Sequence, residues 1–343
     1  MKAMVLDKVC DLTREHSPLT LVDIAIPQPG PDEILIKVLC CGVCHTELDE
    51  IEGRAMPAKF PITLGHQVVG TVAEVGSAAH LFAPGQRVGV AWIFSACGKC
   101  KYCTHGLENL CSSFQATGLH ASGGYAEFMV VNENFAHPIP EIFSNAEAAP
   151  LLCAGAIGYR SLQLAKISNG DTLGLTGFGA SGHLVLKMAR YLYSDSKIFV
   201  FARNTQEQDF ARSLGAFWAG NIDQSPPAKA DAIIDTTPAW LPMLTSLENL
   251  NPGGRLVINA IRKEESDKKS ILDLDYKSHL WMEKEIKSVA NITRKDVREF
   301  LELASKIPVK PEIELYDFEE ANKALLDLKH RHVKGAKVLM MEE

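Results

Sequence analysis

The sequence predicts an α/β protein of two domains, the first β-rich and the second a doubly wound parallel sheet. Over the first 150 residues, short strand-like apolar runs such as EILIKVLCC, HQVVGTVAEVG and GYAEFMVV are broken by Gly, Pro and Asp. From about residue 155 strands alternate with helical stretches, the signature of βαβ units. A chain of 343 residues also exceeds what one hydrophobic core usually serves. The expected boundaries are 1–154 for the β-rich part, 155–290 for the parallel sheet, and 291–343 for a closing segment.

Composition narrows the function. A net charge of −7 argues against a general nucleic-acid surface. No apolar run approaches the ~20 residues that span a bilayer. The N-terminus, MKAMVLDKVCDLTREH, lacks the apolar region of a signal peptide. A cytoplasmic location is therefore expected, with the nine cysteines as thiols or metal ligands rather than disulfides.

In chain order, EILIKVLCC leads into CGVCH at 41–45. By pattern alone C-x-x-C-H attaches a c-type haem, a reading that the expected compartment weakens. Further on stand His66, in TLGHQVVG, and Cys153, in APLLCAG. With Cys44 they make a Cys2His set, the composition of a catalytic zinc site that keeps one position open. Ligands so far apart cannot be tied together by a local pattern.

Cys97, Cys100, Cys103 and Cys111 are spaced C-x2-C-x2-C-x7-C in a short polar loop, within a lobe expected at about 95–112. Four thiolates there suit tetrahedral zinc, although an iron–sulfur cluster uses similar spacings. A metal so ligated has no open position, so its role is to hold the loop. Lys99 and Lys101 would offset part of its charge.

GYRSLQLAKI reads as a helix and DTLGLTGFG as a strand entering a glycine turn. SGHLVLKMARYLY then reads as an amphipathic helix. Gly177, Gly179 and Gly182 form G-x-G-x-x-G between that strand and helix, the context in which glycines bring backbone up to a dinucleotide pyrophosphate. KIFVFA, DAIIDTT and GRLVINA continue the strands, and QEQDFARSLGA is a helix. An NAD site places an acid about 20 residues on; here Ala202 stands there and Arg203 follows. A missing carboxylate with an adjacent arginine favours NADP(H), while NAD(H) stays open. DVREFLELASK and FEEANKALLDLKH read as two further helices and AKVLMM as a last strand.

Together, VLCCGVCHTEL, FPITLGHQVVGTVAEVG, PGQRVGV, the Cys97–Cys111 cluster, GGYAEF, PLLCAG and GFGASG resemble the zinc-dependent medium-chain alcohol dehydrogenases over nearly the whole chain. The resemblance implies a GroES-like catalytic domain to which both chain ends contribute and a Rossmann coenzyme domain between them. It implies two zinc ions, one catalytic on Cys44, His66 and Cys153 and one structural. It makes Cys44, not Cys41, the ligand and the haem match a coincidence; Cys10, Cys40 and Cys41 then pack as buried hydrophobes.

The implied activity moves hydride between a primary alcohol or aldehyde and a nicotinamide coenzyme, with zinc polarising the oxygen. Thr46 would pass the alcohol proton, with a helix N-cap as its plain alternative. Glu47 stands where relatives orient the zinc-bound histidine from an aspartate, and His45 where they face the coenzyme pyrophosphate. Trp92 would narrow the substrate pocket unless it is a core aromatic. Ile157 would line the nicotinamide, and Lys337 would reach a coenzyme phosphate where alone it would be solvated.

Two departures stand out: Gln67 replaces a glutamate near the metal, and Asp49 replaces a histidine that ends the proton relay. Polyol dehydrogenases and quinone reductases share the superfamily, but zinc-free quinone reductases lack a Cys/His/Cys set. A non-catalytic zinc- or coenzyme-binding protein is the reading from another class. The expected partners are a small alcohol or aldehyde and further copies of the chain, as a homodimer or homotetramer.

Overall fold

A computed structural model of the chain describes residues 1–307, 309–330 and 336–341. Two compact units are present, Met1–Cys153 with Thr293–Glu343, and Ala154–Ile292. Their borders fall at 153/154 and 292/293, against 154/155 and 290/291 expected from the sequence.

The first unit is organised on the strand Glu33–Val43, buried along nearly its whole length. Burial on both faces explains why EILIKVLCC shows no polar alternation. Val68–Val75 pairs antiparallel along one edge. On the other edge Phe128–Asn132 covers residues 33–37, and Ala336–Met340 covers residues 40–43, from the opposite end of the chain. Cys40 and Cys41 are fully buried, and burial drives the Cys40 thiol up to about 12. Cys10 departs from expectation: it is only half-buried.

The helix Arg294–Lys306 turns Val297, Phe300, Leu301 and Ala304 inward, a 3.6-residue stripe. It starts from a capping box in which Thr293 and Asp296 satisfy each other's backbone. Arg294 binds the cysteine lobe: its backbone N and its Nε both donate to Glu108 Oε1 at 3.0 Å, and its guanidinium lies over Phe135. Burial alone would raise the Glu108 carboxyl, but backbone donors and Arg294 outweigh it and hold it below the usual carboxylate range.

A depressed folded value means stabilisation that is complete above the ordinary carboxylate pKa and lost as pH falls through the lower one. Glu108→Gln is thus expected to cost about 1–3 kcal/mol at neutral pH. Urea melts of both proteins at neutral and strongly acid pH check this, because the gap should close in acid. A gap that persists in acid assigns the loss to packing instead.

FEEANKALLDLKH is not one helix: a 3-10 turn at Phe318–Glu320 precedes the helix Ala321–His330. The turn lets Asp317 and Glu320 cap the helix entry.

The second unit is a six-stranded parallel sheet. Its order is Trp218–Gly220, Lys197–Phe201, Thr172–Thr176, Ala230–Asp235, Leu250–Ile258, Glu285–Ser288. The first-formed strand lies centrally and the order runs outward both ways, the doubly wound arrangement. The two outermost strands, three and four residues long, were too short to carry a periodic signal. Among the described residues no helix is long and apolar enough to cross a membrane.

Candidate active site

Cys44 ends the central strand of the first unit and caps the helix His45–Ile51. Its Sγ accepts from Thr46 N at 3.3 Å, and Glu47 Oε2 accepts from Cys44 N at 2.8 Å. The N-cap is therefore Cys44, and Thr46 sits inside the first turn, half-buried.

His66 follows Gly65, whose φ of +94° suits glycine; a Cβ there would meet the Tyr125 ring at 2.4 Å. GGY fixes this turn from across. Gly123 N donates to Thr63 O, Gly124 N to Gly65 O and Tyr125 N to Leu64 O, all within 2.9 Å. Cys153 lies in a π-helical turn at Leu151–Gly155, a local widening common at functional sites.

These three segments bring the ligand atoms together. His66 Nε2 is 3.5 Å from Cys44 Sγ and 3.3 Å from Cys153 Sγ, and all three atoms lie within 4.8 Å of one another. Bonds of ~2.0–2.3 Å at tetrahedral angles require ligand atoms ~3.3–3.8 Å apart, so the set fits zinc with a position left open. Without a metal, the neighbouring Cys153 and then burial push the Cys44 thiol well up, so loading the site must release protons. The other imidazole nitrogen, Nδ1, lies 2.6 Å from Glu47 Oε1, close but not aligned as a hydrogen bond. Both side chains are buried, so the carboxyl group beside Nδ1 would leave Nε2 as the nitrogen to hold a metal.

The second cluster also fits. Cys103 Sγ lies 3.6 Å from Cys100 Sγ and 3.9 Å from Cys97 Sγ, and Cys111 completes the group. The Lys99 and Cys100 backbone amides point at Cys97 and lower its thiol to about 6. Backbone donors aimed at a sulfur suit a thiolate, the form that ligates a metal.

In the second unit the strand Thr172–Thr176 runs into Gly177, and Gly179 caps the helix Ala180–Leu192. A Cβ on Gly182 would meet Gly177 O at 2.7 Å, so this glycine lets helix and loop pack. A Cβ on Gly179 would stand in open space beside the helix N-terminus, where a pyrophosphate needs room and bare amides. Ala202 is buried just past the strand Lys197–Phe201, and Arg203 beside it is exposed.

Residues 30–141 match the alcohol dehydrogenase GroES-like domain family. The probable alcohol dehydrogenase AdhA of Mycobacterium tuberculosis (strain CDC 1551 / Oshkosh) is 41% identical over 332 residues, covering 95% of this chain and 94% of the relative. The chain belongs to the zinc-dependent medium-chain alcohol dehydrogenase family. Among solved structures, a cinnamyl alcohol dehydrogenase of Sorghum bicolor aligns with a TM-score of 0.83 at 27% identity, covering 100% of this chain and 99% of the other. CAD from Helicobacter pylori complexed with NADP(H) aligns at 0.83 and 25%, covering 99% and 97%.

The other residues singled out in the sequence of this alcohol dehydrogenase have defined surroundings. Lys337 is not solvated, as it would be if it stood alone. It is fully buried, with Nζ 2.6 Å from Glu314 Oε2 and 2.5 Å from the Tyr316 hydroxyl, because its strand lies inside the sheet. Asp49 is buried and its Oδ1 accepts from Arg54 Nε at 2.6 Å. Gln67 is buried with its amide against Gly42. Trp92 packs on Phe114 at 5.1 Å between ring centres, and Ile157 is half-buried in the helix Ala156–Ala165. His45 is exposed on the first residue of its helix.

Sequence reasoning missed Glu50. It is fully buried, with neither carboxylate oxygen hydrogen-bonded. Burial and then the Glu47 charge push its carboxyl well above the usual range. The signal was there to read: two glutamates three apart on a seven-residue helix share a face.

Proposed function

We propose that this alcohol dehydrogenase interconverts a primary alcohol and its aldehyde with NADP(H). The observation that carries the reading is the convergence of Cys44, His66 and Cys153 within 4.8 Å, with the Thr46 hydroxyl two residues from Cys44. When bound, zinc supplies a Lewis acid for the alcohol or aldehyde oxygen, and the nicotinamide takes or gives the hydride.

The chain's own residues do the rest. Thr46 Oγ1 takes the alcohol proton or returns it. Glu47 orients His66, at 2.6 Å from its Nδ1. Trp92 supplies apolar wall that favours flat or unbranched substrates. Exposed Arg203 meets the 2′-phosphate, and no carboxylate at 202 repels it. The NADP(H) bound by the Helicobacter pylori relative supports the coenzyme choice. Homo-oligomerisation is supported by the edge strand Glu285–Ser288, whose four residues are all exposed, and by apolar surface at Leu272, Tyr276 and Trp281.

Benzaldehyde reduction followed with NADPH and NADH in parallel, with a chelator-treated control, tests the reading. Chelator-sensitive turnover preferring NADPH is expected. Arg203→Ala should lower that preference about tenfold, the worth of one charge-assisted bond. A clear wild-type preference for NADH refutes the coenzyme assignment and leaves the zinc chemistry intact.

A further inference from the structure

The coenzyme unit contains a buried ion pair that the reaction does not use. Asp235 ends the strand Ala230–Asp235 and is fully buried, and Lys263 reaches it from the segment after Leu250–Ile258. Lys263 Nζ donates to Asp235 Oδ2 at 2.5 Å, Ala239 O at 2.8 Å and Thr237 O at 2.9 Å. An ammonium has three hydrogens, and these acceptors use them all.

The other carboxylate oxygen works in the opposite direction. Asp235 Oδ1 accepts from Thr237 N at 3.0 Å and from Thr237 Oγ1 at 2.7 Å. Next to it, Thr236 donates through N and Oγ1 to Thr176 O, at 2.9 and 3.1 Å. This threonine pair lies directly under the glycine loop. A Cβ on Gly177 would meet Thr236 Oγ1 at 2.7 Å and Thr237 Cγ2 at 2.9 Å. A continuous set of contacts thus runs from Lys263 through Asp235 and the two threonines to Gly177.

The same two loops are joined again further out. Glu264 N donates to Pro238 O, Trp240 Nε1 to Glu264 O, and Asp267 Oδ2 accepts from Trp240 N. Those bonds would keep the loops together without a buried charge. Because buried ion pairs replaced by apolar residues often leave stability unchanged, this one is better explained by the geometry it imposes.

We propose that Lys263 is a positioning residue for the coenzyme, holding the turn 235–239 so that the threonines fix the glycine loop in its phosphate-binding shape. The proposal rests on the coenzyme reading of that loop. Lys263→Met is expected to weaken NADPH and NADH binding alike, by ~10-fold or more, because residues joined in one network lose their function together. NADPH fluorescence titration and direct calorimetry with NADH read the change. The KM for coenzyme should rise while that for benzaldehyde stays, with zinc content unchanged.

Lys263→Met alone strands a buried carboxylate and lowers the melting temperature. The pair Lys263→Met with Asp235→Asn removes both charges. It is expected to melt close to wild type and still bind coenzyme ~10-fold more weakly, since the Thr237 and Ala239 carbonyls then lose the donor that ties both to the strand end. A double variant that melts like wild type and binds both coenzymes like wild type overturns the proposal. Wild-type protein that binds neither coenzyme overturns the coenzyme reading beneath it.

Discussion

Cys44→Ala is expected to abolish aldehyde reduction while leaving NADPH binding in place. Loss of a residue that merely orients a metal ligand costs ~10–100-fold in metal affinity or activity, so loss of the ligand itself should cost on the order of 10³-fold or more. The remaining pair, His66 and Cys153, cannot enclose the ion, and metal content should fall from two per chain to one. Coenzyme affinity should hold because the glycine loop belongs to the other compact unit.

The neighbouring cysteine supplies the control. Cys41 is fully buried, against Gly65 and Gly124, and burial pushes its thiol far above the ordinary value. Cys41→Ala should keep both metals and most of the turnover, losing only the packing of one small side chain. Metal analysis together with steady-state rates decides between the two cysteines. Full zinc content in Cys44→Ala would remove it from the ligand set.

The other large effect belongs to the cysteine lobe. From residue 97 to 111 only Glu108 and Cys111 are buried, and the one α-helical turn, Lys101–Thr104, has no buried residue at all. Such a segment has no core of its own, and its order has to come from the metal. Free energies on the order of 10 kcal/mol accompany structural zinc binding in small domains. Cys103→Ala should therefore unfold the lobe locally without emptying the catalytic set. Limited proteolysis should cut between 95 and 112 under native conditions. Turnover should begin near normal and decay faster on warming. An uncut lobe would mean that Arg294 and Glu108 suffice to hold it.

What was legible in the sequence follows from how local each signal is. The glycine turn and the four clustered cysteines declare themselves because strand, turn and helix, or all the ligands, fall within one short continuous stretch. The inner strands of the parallel sheet were readable because burial on both faces leaves continuous apolar runs. The catalytic set was different. Its members lie 22 and 87 residues apart, and composition could suggest them but only the family resemblance assigned them.

Lys337 shows the converse. In GAKVLMM it looks like a surface lysine, yet its partners are Glu314 and Tyr316 in another strand, and only the parallel pairing of Ile313–Asp317 with Ala336–Met340 reveals them. The partner of Asp49 is hidden in the same way: Arg54 lies beyond the end of the helix, outside any helical spacing rule.

The pairing of residues 40–43 with 337–340 also has a consequence for how the protein is made. The catalytic unit cannot close its sheet next to Cys44 until the last strand has left the ribosome. At about 5–20 residues per second, roughly 15–60 s separate the synthesis of Val43 from that of Ala336. The coenzyme unit, by contrast, is one uninterrupted segment and is free to fold in that interval. During the wait the edge of an apolar strand stands open to any passing chain, the situation in which nascent proteins aggregate. Elongation speed and chaperone supply should therefore govern the yield of active enzyme more than the stability of the finished molecule does.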